Sequence, residues 1–378
     1  MRFPEFEGEW EKCKLSDIAS IIGGGTPDTT KEEYWNGDVQ WFTPTEIKAN
    51  YVSKSQRTIS ELGLANSSAK FLPKGSILLT SRATIGDCAI ALEECTTNQG
   101  FQSLIVKNDN SNIFVLNWLK TKKDELIRKA KGSTFLEINK TEIENISICI
   151  PFFPEQTKIA TFLSLLDDRI STQRQIIEEL KSLIKGLRYL IFEKDIDLKK
   201  QHEVRLSNIL EEYSEKNTKN NLTPVAVGKF GIRKREDIYS KDLSDDYSKN
   251  KVIMKDTLVI GMGSTQIDIG ILSTNDKYCV SPAYTTYKIK NISAKYLAEY
   301  LICINSSLSK KYMIIGARQG KSVDKAELLN HIITIHYETE QQKIANTFSI
   351  FDTKLETEKQ ILQKYIEQKR YLLATMFV

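Results

Sequence analysis

Glu155-Gln156-Thr157-Lys158-Ile159-Ala160 reappears 185 residues further on as Glu340-Gln341-Gln342-Lys343-Ile344-Ala345. The register then holds without a gap, Asp167 matching Asp352, Gln175-Ile176 matching Gln360-Ile361, Leu187 matching Leu372 and Phe192 matching Phe377. Each copy carries its own apolar rhythm. The first runs Ile159, Leu163, Leu166, Ile170, Gln173, Ile177, Leu180, Ile184, Leu187, Ile191. The second runs Ile344, Phe348, Phe351, Leu355, Glu358, Leu362, Tyr365, Lys369, Leu372, Met376. Alternating steps of four and three mark a coiled-coil seam. At about 1.5 Å per residue each helix is roughly 55 Å long. A helix of that length with one apolar stripe needs a partner, and the nearest is the other copy. The spacing therefore predicts an antiparallel pair within the chain, with pairing between separate chains as the competing arrangement. Gln173 and Glu358 put a polar group at the same seam position, where it sets register more than it adds stability.

Outward from the helices the repeat is fainter. Leu15-Ser16-Asp17-Ile18 answers Leu206-Ser207-Asn208-Ile209, and Asn139-Lys140-Thr141-Glu142-Ile143 answers Asp324-Lys325-Ala326-Glu327-Leu328. Phe71 to Leu79 parallels Ile253 to Ile260, each reading as a turn feeding a buried strand. Ile85-Gly86 is then set against Ile269-Gly270, which makes the second intervening loop three residues longer. An alternating strand closes each half, Ile146 to Ile150 and Ile332 to Ile335. Strands and helices mix without a βαβ rhythm, so the fold class is α+β: two repeated α/β domains separated by two long antiparallel helices. The boundaries fall at 1–153 for the first domain, 154–195 for the first helix, 196–338 for the second domain and 339–378 for the second helix.

Bulk properties bound the function. A chain of 378 residues is long for one domain. Hydrophobic residues at 40% and charged residues at 27% are globular composition. A net charge of +4 and a pI near 8.5 permit a polyanionic partner without demanding one. The six cysteines (Cys13, Cys88, Cys95, Cys149, Cys279, Cys303) form no CxxC pair, and the only histidines are His202, His331 and His336. No local zinc site can be assembled from them, and scattered cysteines read as reduced thiols of a cytoplasmic protein. Charges at Arg2, Glu5 and Glu7 break any leader-like apolar run, and no stretch approaches the roughly 18 apolar residues of a membrane span.

The run Phe71-Leu72-Pro73-Lys74-Gly75-Ser76-Ile77-Leu78-Leu79-Thr80-Ser81-Arg82-Ala83-Thr84-Ile85-Gly86 resembles target-recognition domains of the specificity subunits of type I restriction–modification systems. So do Gly132-Ser133-Thr134, Glu137-Ile138-Asn139-Lys140, and Pro154-Glu155-Gln156 leading into Lys158-Ile159-Ala160, and the opening Arg2-Phe3-Pro4-Glu5-Phe6 is typical of some members. The resemblance extends over the whole chain and includes the order domain, helix, domain, helix. It implies a subunit without catalysis, cofactor or metal, each domain reading one half of a split double-stranded DNA target while the helices act as a ruler. Methyltransferase (modification) subunits would dock on the helices, and restriction subunits would join through that methylase core. Half-sites on one face of B-DNA lie about 34 Å or a multiple apart, which suits a rigid rod better than a flexible linker. The second half departs from the pattern, with Gly261-Met262-Gly263-Ser264-Thr265-Gln266 where the first has Thr80-Ser81-Arg82-Ala83-Thr84.

Base-edge reading needs short polar or guanidinium side chains on loops that enter a groove, with backbone amides to grip phosphates. In the first half this selects Gly24-Gly25-Thr26-Pro27, Thr43-Pro44-Thr45, Ser81-Arg82 with Thr84, Asn98-Gln99 and Gly132-Ser133-Thr134. In the second it selects Ser264-Thr265-Gln266, Ser281 and Arg318-Gln319-Gly320-Lys321-Ser322. Arg82 is the leading candidate for a guanine contact or a phosphate clamp. The competing reading is a set of solvated turns, which the same residues favour. Lys122-Lys123, Lys129, Lys131 and Lys310-Lys311 suit phosphates or plain solvated helix faces.

Three enzyme-like patterns are weaker. Gly316 to Ser322 has three residues between its glycines where a phosphate-binding loop needs four. Ser281-Pro282-Ala283-Tyr284 is similar to an adenine methyltransferase motif but lacks its second proline and any glycine-rich cofactor loop ahead of it. At an offset of 183 it answers Asn98-Gln99-Gly100-Phe101, so the repeat explains it better. Pro27-Asp28 with Glu46-Ile47-Lys48 fits a Mg²⁺ nuclease pattern that the second half does not repeat. The alternative to DNA reading is a coiled-coil scaffold or adaptor whose globular halves bind something else.

Overall fold

A computed structural model of the chain describes residues 2–132, 136–194, 201–228, 231–240, 246–315 and 321–377. It comprises two compact units, residues 1–174 with 361–378, and residues 175–360. Both mix antiparallel sheet with helix, as the α+β reading expects.

In the first unit Glu11–Lys14 pairs antiparallel with Ser147–Ile150. The short helix Leu15–Ile18 then feeds a five-stranded sheet in the order Ala19–Gly23, Gln102–Val106, Ile77–Leu79, Cys88–Ala91, Tyr51–Val52. A smaller sheet joins Arg57–Ile59, Trp35–Phe42 and Thr96–Thr97. The main core gathers Ile77, Leu79 and Leu104 of the sheet, Phe114 and Leu119 of the helix Asn112–Thr121, and Ile159, Leu163, Leu372 and Met376 of the long helices.

The second unit repeats this plan. Gln201–Arg205 pairs with Ile332–His336, the helix Leu206–Ile209 follows, and a four-stranded sheet runs Leu210–Tyr213, Thr285–Ile289, Thr257–Met262, Ile267–Ile271. Where the first unit adds Tyr51–Val52, the second packs the strands Val225–Gly228 and Gly231–Lys234, with Val227 and Ile232 lying over Gly270. One sequence correspondence is corrected. Leu79 pairs with Cys88 and Ile260 with Ile269, so the two hairpins are in one register, with the same number of residues between these paired positions although the second hairpin carries its pairing two residues further. Ile269-Gly270 therefore answers Cys88-Ala89, not Ile85-Gly86. Strand register follows the inward-facing apolar residues, and a dipeptide match in a variable loop carries no such constraint.

The long helices span Phe153–Tyr189, continued by a π-helical turn Leu190–Lys194, and Glu338–Met376. In the first unit Ile159 to Ile170 pack with Leu372 and Met376, and Lys369 donates to Asp167. In the second unit Ile184 and Phe192 pack with Ala345 and Phe348. The start of each helix thus meets the end of the other, the antiparallel pairing that the seam predicts. Gln173 and Glu358, polar as they are, are both buried at the seam.

The matched glutamines show why the helix entry is retained in both halves. Buried Gln156 accepts the backbone N–H of Ser111 at 2.9 Å and donates to the Pro151 carbonyl at 2.9 Å. Gln341 likewise accepts from Ser293 N at 3.2 Å and donates to the His336 carbonyl at 2.7 Å. Ser111 and Ser293 are the N-caps of corresponding helices, Asn112–Thr121 and Ala294–Tyr312. One amide side chain therefore ties strand end, helix start and long helix together, leaving none of those buried groups unpaired.

Among the described residues no helix is long and apolar enough to cross a membrane. Gly186 lies inside the first long helix with open space where a Cβ would stand. Gly186→Ala should therefore raise stability by about 0.5–1 kcal/mol, read as a shift of the denaturant midpoint. A loss of stability would show that the position has a packing role.

Candidate nucleic-acid interface

In the first unit separate loops converge at one end of the sheets. Gly25 N donates to the Thr97 carbonyl (2.8 Å) and Asn98 N to that of Phe42 (3.0 Å). Ser81 N donates to the Gly100 carbonyl (2.8 Å), and Thr84 Oγ1 reaches that of Pro44 (3.5 Å). Thr26 hydrogen-bonds Gln99 side chain to side chain. The candidates at 24–27, 43–45, 81–84 and 98–99, scattered over 76 residues of sequence, thus form one hydrogen-bonded cluster.

Within it the roles divide by exposure. Gly25 and Ser81 are buried, and their backbone groups hold neighbouring loops together. Asn98 accepts Gly100 N at 2.9 Å, closing its own turn. Thr26, Thr43, Thr84 and Gln99 keep side chains at the surface. Arg82 is 41% exposed and paired to Glu137 at 2.8 Å, their segments joined by an isolated β-bridge. The carboxylate takes part of the guanidinium fork and orients the rest of it. An open cleft of about 1120 Å³ beside this pair is lined by Thr84, Asp87, Lys123, Gly132 and Leu136. Ser133 and Thr134 lie outside the described residues.

In the second unit Ser264, Thr265 and Gln266 are exposed on the hairpin loop between Thr257–Met262 and Ile267–Ile271. Lys321 Nζ donates to the Ser264 carbonyl at 2.6 Å, so two separate candidate segments meet here also. Ser322 is exposed beside Lys321 on the short strand Lys321–Val323. Ser281 lies in the turn that carries Tyr284, whose ring lies over Gly261. Arg318 and Gln319 lie outside the described residues. In the corrected register Gly263 takes the place of Arg82. The cation here, Lys321, comes instead from the strand Lys321–Val323, so the two halves place their charge on different segments. Burial raises the Asp268 carboxyl above the usual carboxylate range at the base of this loop.

Sequence reasoning passed over two carboxylates. Glu137 orients Arg82 and could not be found locally, since 55 residues separate them. Glu46 accepts Thr43 N and Thr43 Oγ1 (both 2.7 Å) and Gln56 N (2.7 Å), which shapes the 43–46 loop. Its signal is present in the sequence: Thr43-Pro44-Thr45-Glu46 spells a capping box, which accounts for this glutamate better than the weak nuclease pattern does. Among the described residues no group of three or more His, Cys, Asp or Glu could hold a metal ion.

Two copies of one α+β scaffold, each closing on a long helix and each presenting its own loop cluster, define a duplicated loop-bearing protein. The family described as type I restriction modification DNA specificity domain matches this chain twice, at residues 7–182 and 199–367, and the chain belongs to that family. It is 40% identical over 181 residues to the specificity subunit of the type I restriction enzyme MjaIX of Methanocaldococcus jannaschii, covering 46% of this chain and 42% of that protein. It is 34% identical over 116 residues to the EcoprrI specificity subunit of Escherichia coli, covering 30% and 28%. These alignments span less than half the length of the curated relatives. In fold it is similar to the S subunit of a type I system from M. genitalium, with a TM-score of 0.58 and 16% identity over 100% of this chain and 99% of that one. A chain from a structure on complex assembly and conformational transition of the type I system superposes with a TM-score of 0.63 at 14% identity, over 99% and 98%.

Proposed function

We propose that this chain is a non-catalytic DNA specificity subunit that reads a bipartite target, one half-site through residues 1–153 and the other through 196–338. The observation that carries the reading is the duplication itself. The matched specificity domain occurs twice, and its helical entry is kept, down to Gln156 and Gln341, while the loop clusters differ in charge placement. Two unlike readers on one frame suit an asymmetric target. Residues 154–195 and 339–378 hold the readers and receive methyltransferase subunits, with restriction subunits joining through that core in the cytoplasm. Phe162, Leu165, Ile176 and Leu183 support such docking: these long-helix residues are 37–58% exposed although apolar.

Selection of bound duplexes from a random pool tests the reading, as does methylome sequencing of the host with and without the chain. A two-part motif of fixed spacing is expected. Binding without sequence preference would favour the scaffold alternative and sink the proposal. Arg82→Ala is expected to weaken specific binding by about 1–3 kcal/mol and relax one position of the first half-site. Unchanged affinity and motif in that variant would remove Arg82 from the interface.

A further inference from the structure

Arg57, which no motif selects, occupies an unusual position in the smaller sheet of the first unit. Its guanidinium carbon lies 3.7 Å from the ring centroid of Trp35 and 5.6 Å from that of Trp41. The two indoles are buried and packed edge to face at 5.1 Å, while Arg57 itself is exposed. Among the described residues no carboxylate pairs with this guanidinium and no hydrogen bond engages it. The stacking face is therefore occupied while the N–H edge and the charge stay free.

The same two indoles hold the neighbouring loop. Trp41 Nε1 donates to the Gly25 carbonyl at 2.9 Å, and Trp35 Nε1 donates to the Asp28 carbonyl at 3.1 Å. Arg57 and the loop from Gly25 to Asp28 thus stand on one rigid base. A guanidinium fixed by stacking loses little freedom on binding an anion, and its planar fork matches phosphate oxygens.

We propose that Arg57 grips a backbone phosphate of the duplex beside the first half-site, placing the Gly24–Pro27 loop at its groove. The assignment rests on the DNA-reading function above. Backbone contacts fix register and orientation without reading sequence, which is the role a stacked, preorganised cation fills.

The test uses the full chain with two probes, the motif selected from random duplexes and the unselected pool, titrated over a range of salt. Arg57→Ala should weaken binding to both by roughly tenfold and lower the salt slope by about 0.9, the loss of one phosphate. Arg57→Lys keeps the charge and should retain the slope. Three results overturn the assignment: unchanged affinity in Arg57→Ala, a relaxed motif with an unchanged slope (a base contact), or the same slope loss in Arg57→Lys (a structural role). A wild-type chain without any motif preference would instead strike the underlying function, a separate outcome of the same titration.

Discussion

Gly24→Ala is expected to erase sequence preference at the first half-site while leaving preference at the second. A Cβ at residue 24 would stand 2.0 Å from the Asn98 carbonyl oxygen, 2.3 Å from Thr97 Oγ1 and 2.5 Å from the Thr97 carbonyl oxygen. Two of these atoms are backbone, so no rotamer change relieves the overlap. The loops at 24–27 and 97–100 must part, and the Gly25 N–H to Thr97 carbonyl bond and the Thr26–Gln99 contact are the links that open. Overpacking of this kind costs about 1–3 kcal/mol of stability, and the displaced loops no longer meet a groove together. Selection from random duplexes should return a motif with one half blurred and the other intact. A variant that returns both halves unchanged would show that these loops do not read DNA, whatever its melting point.

How far the molecule was legible follows from the range of the forces involved. The helical pair was legible because the seam is a periodic, local signal, and burial of Ile159, Leu163, Ile170, Ile184, Phe348 and Leu372 answers it residue by residue. The polar seam positions Gln173 and Glu358 were legible only through the duplication, since one glutamine on one helix says nothing. The sheets were partly legible. Their strands could be named, but the smaller sheet joins Trp35–Phe42 to Arg57–Ile59 and, in parallel, to Thr96–Thr97, a long-range pairing that no local pattern encodes.

The candidate site was legible as a set of loops and illegible as an arrangement. Selecting short polar residues found Thr26, Thr43 and Gln99, and equally found Ser81, which is wholly buried and holds its loop to Gly100. Composition cannot separate a serine that faces a groove from one that supports a turn, because both sit between strands among glycines. Arg57 escaped for the opposite reason. An arginine inside a strand with no glycine beside it reads as an ordinary edge residue until the two indoles are seen beneath it.

Phe348→Ala should cost the second unit about 3–5 kcal/mol, the range for removing a fully buried aromatic ring. Phe348 is 0% exposed and lies in a core with Ile184, Leu308 and Tyr296. Its ring stacks on Phe192 at 6.2 Å between centroids, and the Arg188 guanidinium lies 5.8 Å from it. Arg188 in turn pairs with Glu299, which is buried, so loss of the ring also loosens the support of a desolvated ion pair. The repeat supplies the control. Leu163 stands at the matching position of the first half and is equally buried. Phe348→Leu, which installs that residue, should recover most of the loss and leave a deficit below about 1.5 kcal/mol. Denaturant unfolding followed by far-ultraviolet circular dichroism reads both variants, because all four tryptophans (Trp10, Trp35, Trp41, Trp118) belong to the first unit and indole fluorescence does not report on the second directly. If alanine costs no more than leucine, then the ring fills no cavity of its own, and the remaining seam residues rather than the aromatic stack hold the second long helix to its domain.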